Sequence, residues 1–248
     1  MTFKDHFSAT AASYARYRPQ YPPALFDFVV GLCDQRRVAW DCATGNGQAA
    51  LALAPHFDHV IATDASATQI ANASLHPNIA YRVATAEESG IAGTSVDLIT
   101  VAQALHWFDL HRFFPEVCRV AMPGATIAVW SYDDPILDDP SLDATLQRFN
   151  GQTLGTYWPA ERHQVGAGYT RLPFPFDEVP APSLMLEHQW TLDAFLGYLR
   201  TWSAVAAYRA KHGVDPVVEF AKELGKQWTD PQTTHTVRWP LTIRAGRV

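Results

Sequence analysis

Seven residues between an apolar run and a helix-forming run carry the first chemical signal: Asp41-Cys42-Ala43-Thr44-Gly45-Asn46-Gly47. Small residues at such a turn let a ligand approach the backbone, and the helix that follows offers its unpaired N–H groups. Asp64 ends the next apolar run, Val60-Ile61-Ala62-Thr63-Asp64. A carboxylate at that position accepts two hydrogen bonds from a ribose diol. Together these residues predict a nucleoside-binding crevice, and two kinds of nucleoside suit it. Gly45 and Gly47 fit the first two glycines of a dinucleotide fingerprint whose third falls at Ala50, where alanine is tolerated, which would make an NAD(P)-dependent oxidoreductase. Asp41 favours the other kind, because a carboxylate repels a pyrophosphate and attracts an amino-acid ammonium or a sulfonium.

The pattern Asp-x-Ala-x-Gly-x-Gly from Asp41 to Gly47 resembles the first motif of class I S-adenosylmethionine (SAM) methyltransferases, with Ala43 in place of that motif's usual first glycine. The stretch from Phe7 to Pro22 resembles the N-terminal signature of a methyltransferase type 11-like group that includes trans-aconitate methyltransferase relatives. Ala104-Leu105-His106-Trp107-Phe108-Asp109 is similar to that group's segment after the fourth strand, and Leu199-Arg200-Thr201-Trp202-Ser203 resembles its C-terminal helix. The resemblance covers 1–131 closely and 190–248 more loosely. It implies SAM as cofactor, with Ala43, Gly45 and neighbouring backbone facing the methionine part and Asp41 supporting its ammonium. It also implies Asp64 on the ribose, Ala65 against the adenine, and Ala86 and Glu87 at the adenine edge, with Thr85 where the group often has an aspartate. Gln103 would lie beside the sulfonium, and Tyr14 and Arg18 would close over the cofactor. A non-catalytic SAM-binding module is the remaining alternative; it would lack an enclosed acceptor pocket.

Methyl transfer is an in-line displacement in which a protein chiefly supplies proximity and alignment. A hydroxyl or amine acceptor gains from a base, whereas a carboxylate needs none and is best held by arginine. The expected acceptor is a small molecule, methylated on a carboxylate or hydroxyl oxygen. His106 is the candidate catalytic group, since it follows a strand end and a near-neutral imidazole suits a base. The competing reading is a histidine bonded to a backbone carbonyl. Trp107, Trp130 and Tyr132 are expected to face the acceptor, and Arg171 and Arg200 are candidate carboxylate clamps. His56 and His59 have only Asp58 near them, and Asp133, Asp134, Asp138 and Asp139 read as a solvated loop, so no metal is expected.

These groups need a scaffold. Apolar runs at 38–42, 60–64, 79–84, 96–102 and 126–130 read as strands. Helices are expected from Ala49 to Ala54, from Ser66 to Ala73 with Ser66 as N-cap, and from Leu110 to Val120, with Pro123-Gly124 as a turn. Pro22 to Val30 reads as a helix opened by prolines. Strand–helix alternation at this spacing predicts βαβ units. The expected fold is α/β, a Rossmann-like three-layer sandwich with a mostly parallel seven-stranded sheet. Its parts would be a SAM-binding core (1–131), an inserted substrate-side cap (132–190), and C-terminal helices with a last strand completing the core (191–248). Residues 133–183 read as a loop-rich lobe whose best helix runs from Leu142 to Phe149. Beyond it come a strand from Ser183 to Gln189, one long helix from Leu192 to about Lys211, a helix from Asp215 to Leu224 and a terminal strand from His235 to Ile243, antiparallel by the resemblance.

Composition narrows the setting. The 25 acidic and 19 basic residues leave a formal charge of −6, which argues against a nucleic-acid surface. No apolar run is long enough to span a membrane, and no secretory h-region stands near the start. Cys33, Cys42 and Cys118 suit neither a disulfide framework nor a zinc knuckle. The expectation is a cytoplasmic monomer or homodimer that acts on a small molecule, away from nucleic acid and membrane. Six of the eight tryptophans fall from Trp130 onward, in keeping with ordinary core packing or with an aromatic-lined pocket.

Overall fold

The computed structural model describes Tyr17, residues 19–166 and residues 168–248. Five apolar runs form parallel strands: β1 Val38–Cys42, β2 His59–Asp64, β3 Ile79–Val83, β4 Val96–Ala102 and β5 Ala121–Tyr132. They lie in the order β3-β2-β1-β4-β5. β4 is buried at every residue but its last, as an apolar run without alternation requires when helices cover both faces. The covering helices are α1 Pro23–Gly31, α2 Gln48–Leu53, α3 Ala67–Ala71 and α4 Leu110–Val120. Ser66 caps α3 by accepting the Gln69 amide. The chain changes direction across the sheet between β1 and β4, so the carboxyl ends of these two strands open a crevice at the topological switch point.

Successive strand residues face opposite layers. Ala39, Ala128 and Trp130 join Leu25, Val29 and Leu53 from α1 and α2 on one side. Trp40, Ile127 and Val129 join Phe113 and Val117 of α4 on the other. Two apolar layers around one sheet give the three-layer α/β sandwich.

The second half of the chain departs from the sequence expectation. The sheet has nine strands, not seven. The segment expected as a loop-rich cap contributes β6 Ile136–Leu137, α5 Pro140–Arg148, α6 Arg162–Gly166, β7 Asp177–Val179 and β8 Leu184–Trp190. The antiparallel strand β9, His235–Arg247, organises them. Leu241 of β9 pairs with Tyr132 of β5 on one edge and Leu184 of β8 on the other. Val237 lies between Leu137 of β6 and His188 of β8, and Ala245 between Ala128 of β5 and Val179 of β7. β5 and β6 therefore share one lane beside β9, and β7 and β8 share the next. The nine strands fill seven lanes. Each shared lane is broken where proline removes a ladder donor, at Pro135 and at Pro180 and Pro182.

Two local expectations also change. Pro123-Gly124 is not a turn between elements but an irregularity inside β5, where the register against β4 shifts and Gly124 takes φ +78°. The long helix expected after Thr191 is two helices, α7 Leu192–Leu199 and α8 Ser203–His212. The break at Arg200 to Trp202 is closed by Thr201 Oγ1 donating to the Tyr198 carbonyl. The next helix, α9 Pro216–Gly225, is capped by Asp215.

Candidate active site

The glycine loop leaves β1 at Asp41, whose carboxylate is fully buried. Thr44 Oγ1 donates to it at 2.5 Å and Thr100 Oγ1 from β4 at 2.8 Å. Burial pushes its pKa up to about 6, against the lowering effect of Thr44, Thr100 and the Ala50 amide. Each oxygen accepts one protein hydroxyl, so the Asp41 carboxylate braces the loop from beneath. Above it, Ala43, Gly45 and Gly47 all take left-handed backbone, with φ of 55°, 58° and 90°. Gly47 favours glycine twice over, by its left-handed backbone and because an added Cβ would run into the Tyr81 hydroxyl. At Gly45 no atom of the described residues, its chain neighbours aside, comes within 4 Å of such a Cβ, which leaves room for a ligand against the backbone.

Asp64 joins two loops. Its Oδ2 accepts the Gly45 amide at 2.9 Å and its Oδ1 the Ser66 amide at 2.8 Å. Ala65 beside it is half-buried. Across the crevice, Ala86 is buried, and Glu87 Oε1 accepts the Asp109 amide at 2.9 Å, tying that loop to the start of α4. Gln103 follows β4 with φ +59°, an uncommon conformation for its type, and its buried Nε2 has no partner among the described residues.

Gln103 also lines a cavity of about 70 Å³. His106 and Trp107, from the turn after β4, form one wall with Tyr132 at the end of β5. Trp158, Arg162 and Val165 form a second wall, and Tyr198, Trp202 and Ser203 at the α7–α8 break form a third. His106 Nδ1 lies 2.9 Å from the Tyr169 hydroxyl. Burial, helped by the nearby Arg162 charge, lowers its pKa to about 3. Both effects work against the near-neutral imidazole expected of a base.

The structure separates the remaining candidates. Trp107 and Tyr132 line the cavity. Trp130 does not; it is fully buried, packed edge-on against Tyr21 and Phe26, because its strand position faces the core layer rather than the strand end. Arg171 is exposed, and Arg200 is paired with Asp215. Neither lines the cavity. Tyr14 and Arg18 lie outside the described residues. The acids after β5 have local tasks: Asp138 binds His235 and Thr236, Asp139 caps α5, and Asp134 pairs with Arg162.

Arg162 is the cation that sequence reasoning missed. Its guanidinium lies 4.7 Å over the Trp158 ring while it pairs with Asp134. Asn150 binds Asp134 Oδ2 at 2.7 Å and takes the Trp158 indole N–H at 2.8 Å, which closes a ring of contacts. Trp158, Arg162, Tyr169 and Tyr198 sit in segments without periodic pattern or at positions that read as core. The one available signal was the aromatic clustering, with Trp202 inside the Leu199–Ser203 stretch.

Residues 40–129 match the family described as a methyltransferase domain. A Dictyostelium discoideum protein named "Putative methyltransferase" is 32% identical over 229 residues, 91% of this chain and 87% of its own length. A Saccharomyces cerevisiae "Probable S-adenosylmethionine-dependent methyltransferase" is 31% identical over 134 residues, 50% of this chain and 46% of its own. Among solved structures, a "Putative Type II Methyltransferase" from Anaeromyxobacter dehalogenans superimposes with a TM-score of 0.87 at 47% identity, covering 93% of this chain and 98% of that one.

Proposed function

Since the chain belongs to the class I SAM-dependent methyltransferases, we propose that it methylates an oxygen, of a carboxylate or a hydroxyl, on a small-molecule acceptor held in the cavity beside Gln103. The observation that carries this reading is the cavity itself. It opens at the end of β4, next to the glycine-loop crevice, and aromatic rings surround a few polar groups, as in small-molecule sites.

SAM, when bound, supplies a methyl group on a sulfonium. The residues around the crevice suit it. Gly45 leaves the backbone open, and α2 presents its N-terminus behind the loop. Asp64 ends β2 with its oxygens accepting the Gly45 and Ser66 amides, which sets a carboxylate at the strand end where a ribose diol binds in such crevices. Ala65 and Ala86 are small enough to flank a flat base, and Glu87 holds the Ala86 loop against α4 through the Asp109 amide. Gln103 Nε2 is a buried donor still to be satisfied. On the acceptor side, Trp107, Tyr132, Trp158 and Trp202 exclude water, and Arg162 offers N–H groups that Asp134 does not use. Alignment of the acceptor oxygen with the methyl group is then the main contribution to rate.

Calorimetric titration with SAM, S-adenosylhomocysteine and NADH, followed by an acceptor screen of carboxylic acids and phenols read by mass spectrometry, tests this. Binding of both adenosyl ligands with methyl ester or ether formation supports it. Binding of NADH alone, or methylation confined to nitrogen or carbon, overturns it.

A further inference from the structure

Tyr169 has no role in the residues considered so far, yet it is held with unusual firmness. It takes φ +57° although it carries a bulky side chain, and it is fully buried. Such backbone persists only where the surroundings over-determine it, and it clusters at functional sites. Here its N–H donates to the Gln164 carbonyl, while its own carbonyl accepts from Leu172 and from Arg244 of β9. The result is a phenol oxygen 2.9 Å from His106 Nδ1, across 63 residues of chain.

Which group gives the proton follows from the neighbours. Burial holds the Tyr169 phenol well above its ordinary pKa, so it keeps its hydrogen. Among the described residues, the hydrogen bond at its oxygen is the one shared with His106 Nδ1. Ser131 Oγ is buried and has no hydrogen-bond partner among the described residues. A buried phenol hydrogen needs an acceptor, and Nδ1 is the one at hydrogen-bond distance among the described residues. An imidazole that accepts at Nδ1 carries its own hydrogen on Nε2, the nitrogen that Tyr169 leaves for the cavity lined by His106 to use.

We propose that Tyr169 is a positioning residue that fixes His106 in the Nε2–H tautomer, so that His106 donates a hydrogen bond to the acceptor and does not remove its proton. This rests on the methyl-transfer reading above and narrows it. An acceptor met by donors must arrive ionised, which selects the carboxylate over the hydroxyl. His106 Nε2–H addresses one carboxylate oxygen and Arg162 the other. A lone pair of the acceptor oxygen forms the new O–C bond as the C–S bond breaks, and that electron pair stays on sulfur. An anion and a sulfonium become two neutral products, so no proton has to leave. A hydroxyl would have to shed one, and among the described lining residues none is a base at neutral pH: beside His106, the polar groups are Gln103, Arg162, Ser203, Tyr132 and Tyr198.

The test is nitrogen NMR of the 15N-histidine-labelled full chain at neutral pH, with the His106 signals identified by their loss in His106→Gln. The expected result is a protonated Nε2 and an unprotonated Nδ1, giving way to mixed tautomers in Tyr169→Phe. A protonated Nδ1 in the wild-type protein overturns the proposal, whether or not Tyr169→Phe folds. The spectrum reads the tautomer without cofactor or acceptor. Failure to bind SAM would therefore sink the methyl-transfer reading alone, while the wrong tautomer would sink this inference alone.

Discussion

The Gly45 amide donates to Asp64 Oδ2 at 2.9 Å, so the loop after β1 and the loop after β2 are joined through one carboxylate. The joint makes Asp64 responsible for the shape of the glycine loop, and on the proposed function the same carboxylate meets the ribose of the cofactor. Asp64→Ala should weaken SAM binding by about 1–3 kcal/mol, the range for hydrogen bonds to a charged group. Calorimetry on the folded variant decides it, and unchanged affinity would remove Asp64 from the cofactor site.

Gly45 and Gly47 should respond differently to the same added methyl. Both have left-handed backbone, so alanine at either costs about 1–2 kcal/mol in strain. At Gly47 the Tyr81 clash adds to it, and at Gly45 nothing does. Gly47→Ala should therefore lower Tm more than Gly45→Ala. Gly45→Ala should lose more SAM affinity relative to its lost stability, because its methyl stands in the crevice. Equal Tm losses would mean that Tyr81 moves aside freely.

Asp41 should make the stability of this protein depend on pH with a particular sign. Its folded pKa, about 6, is above the ordinary 3.8, so the folded state binds the extra proton between these values. The associated stability is present below pH 3.8 and is lost as pH rises through 6. The advantage of wild type over Asp41→Asn should fall by up to about 3 kcal/mol from pH 3.8 to pH 7. His106, with its lowered pKa, acts in the opposite direction, gaining stability as pH rises from about 3 to 6.5, but it is common to both proteins and cancels in the difference. Urea unfolding of both proteins across this range measures it. A constant difference would mean that Asp41 is ionised in the fold without cost.

Arg162 and Arg200 should part company in kinetics. Arg162→Met should raise KM for a carboxylate acceptor about 10- to 100-fold, the equivalent of losing a charged hydrogen bond, with SAM affinity intact. Arg200→Met should leave that KM alone and cost at most about 1 kcal/mol of stability, as expected for a partly exposed ion pair with Asp215. If Arg200→Met raises KM and Arg162→Met does not, the acceptor does not sit in the cavity described above.

Much of the cofactor half was legible from residues close together in the chain. The alternation of apolar runs and helices reports which face of each element is buried, and that depends only on neighbours within a few positions. The spacing of Asp41, Gly45 and Gly47 between a strand and a helix, and of Asp64 at the next strand end, belongs to the same local order. Even there, the residue type of Asp41 did not reveal its burial or the hydroxyls of Thr44 and Thr100 that hold it, one of which comes from β4.

The acceptor half was decided by tertiary structure. Trp130 and Tyr132 share one face of β5, and only the depth of each along the strand sends Trp130 into the core and Tyr132 to the cavity. Arg162 finds Asp134 across 28 residues, and His106 finds Tyr169 across 63. No periodicity links such pairs, because they meet only after the lobe has folded back onto β9. The chemistry of His106 follows the same rule. Histidine as a residue type titrates near neutrality, but burial and the neighbouring guanidinium, which belong to the folded state alone, determine whether it takes a proton or gives one.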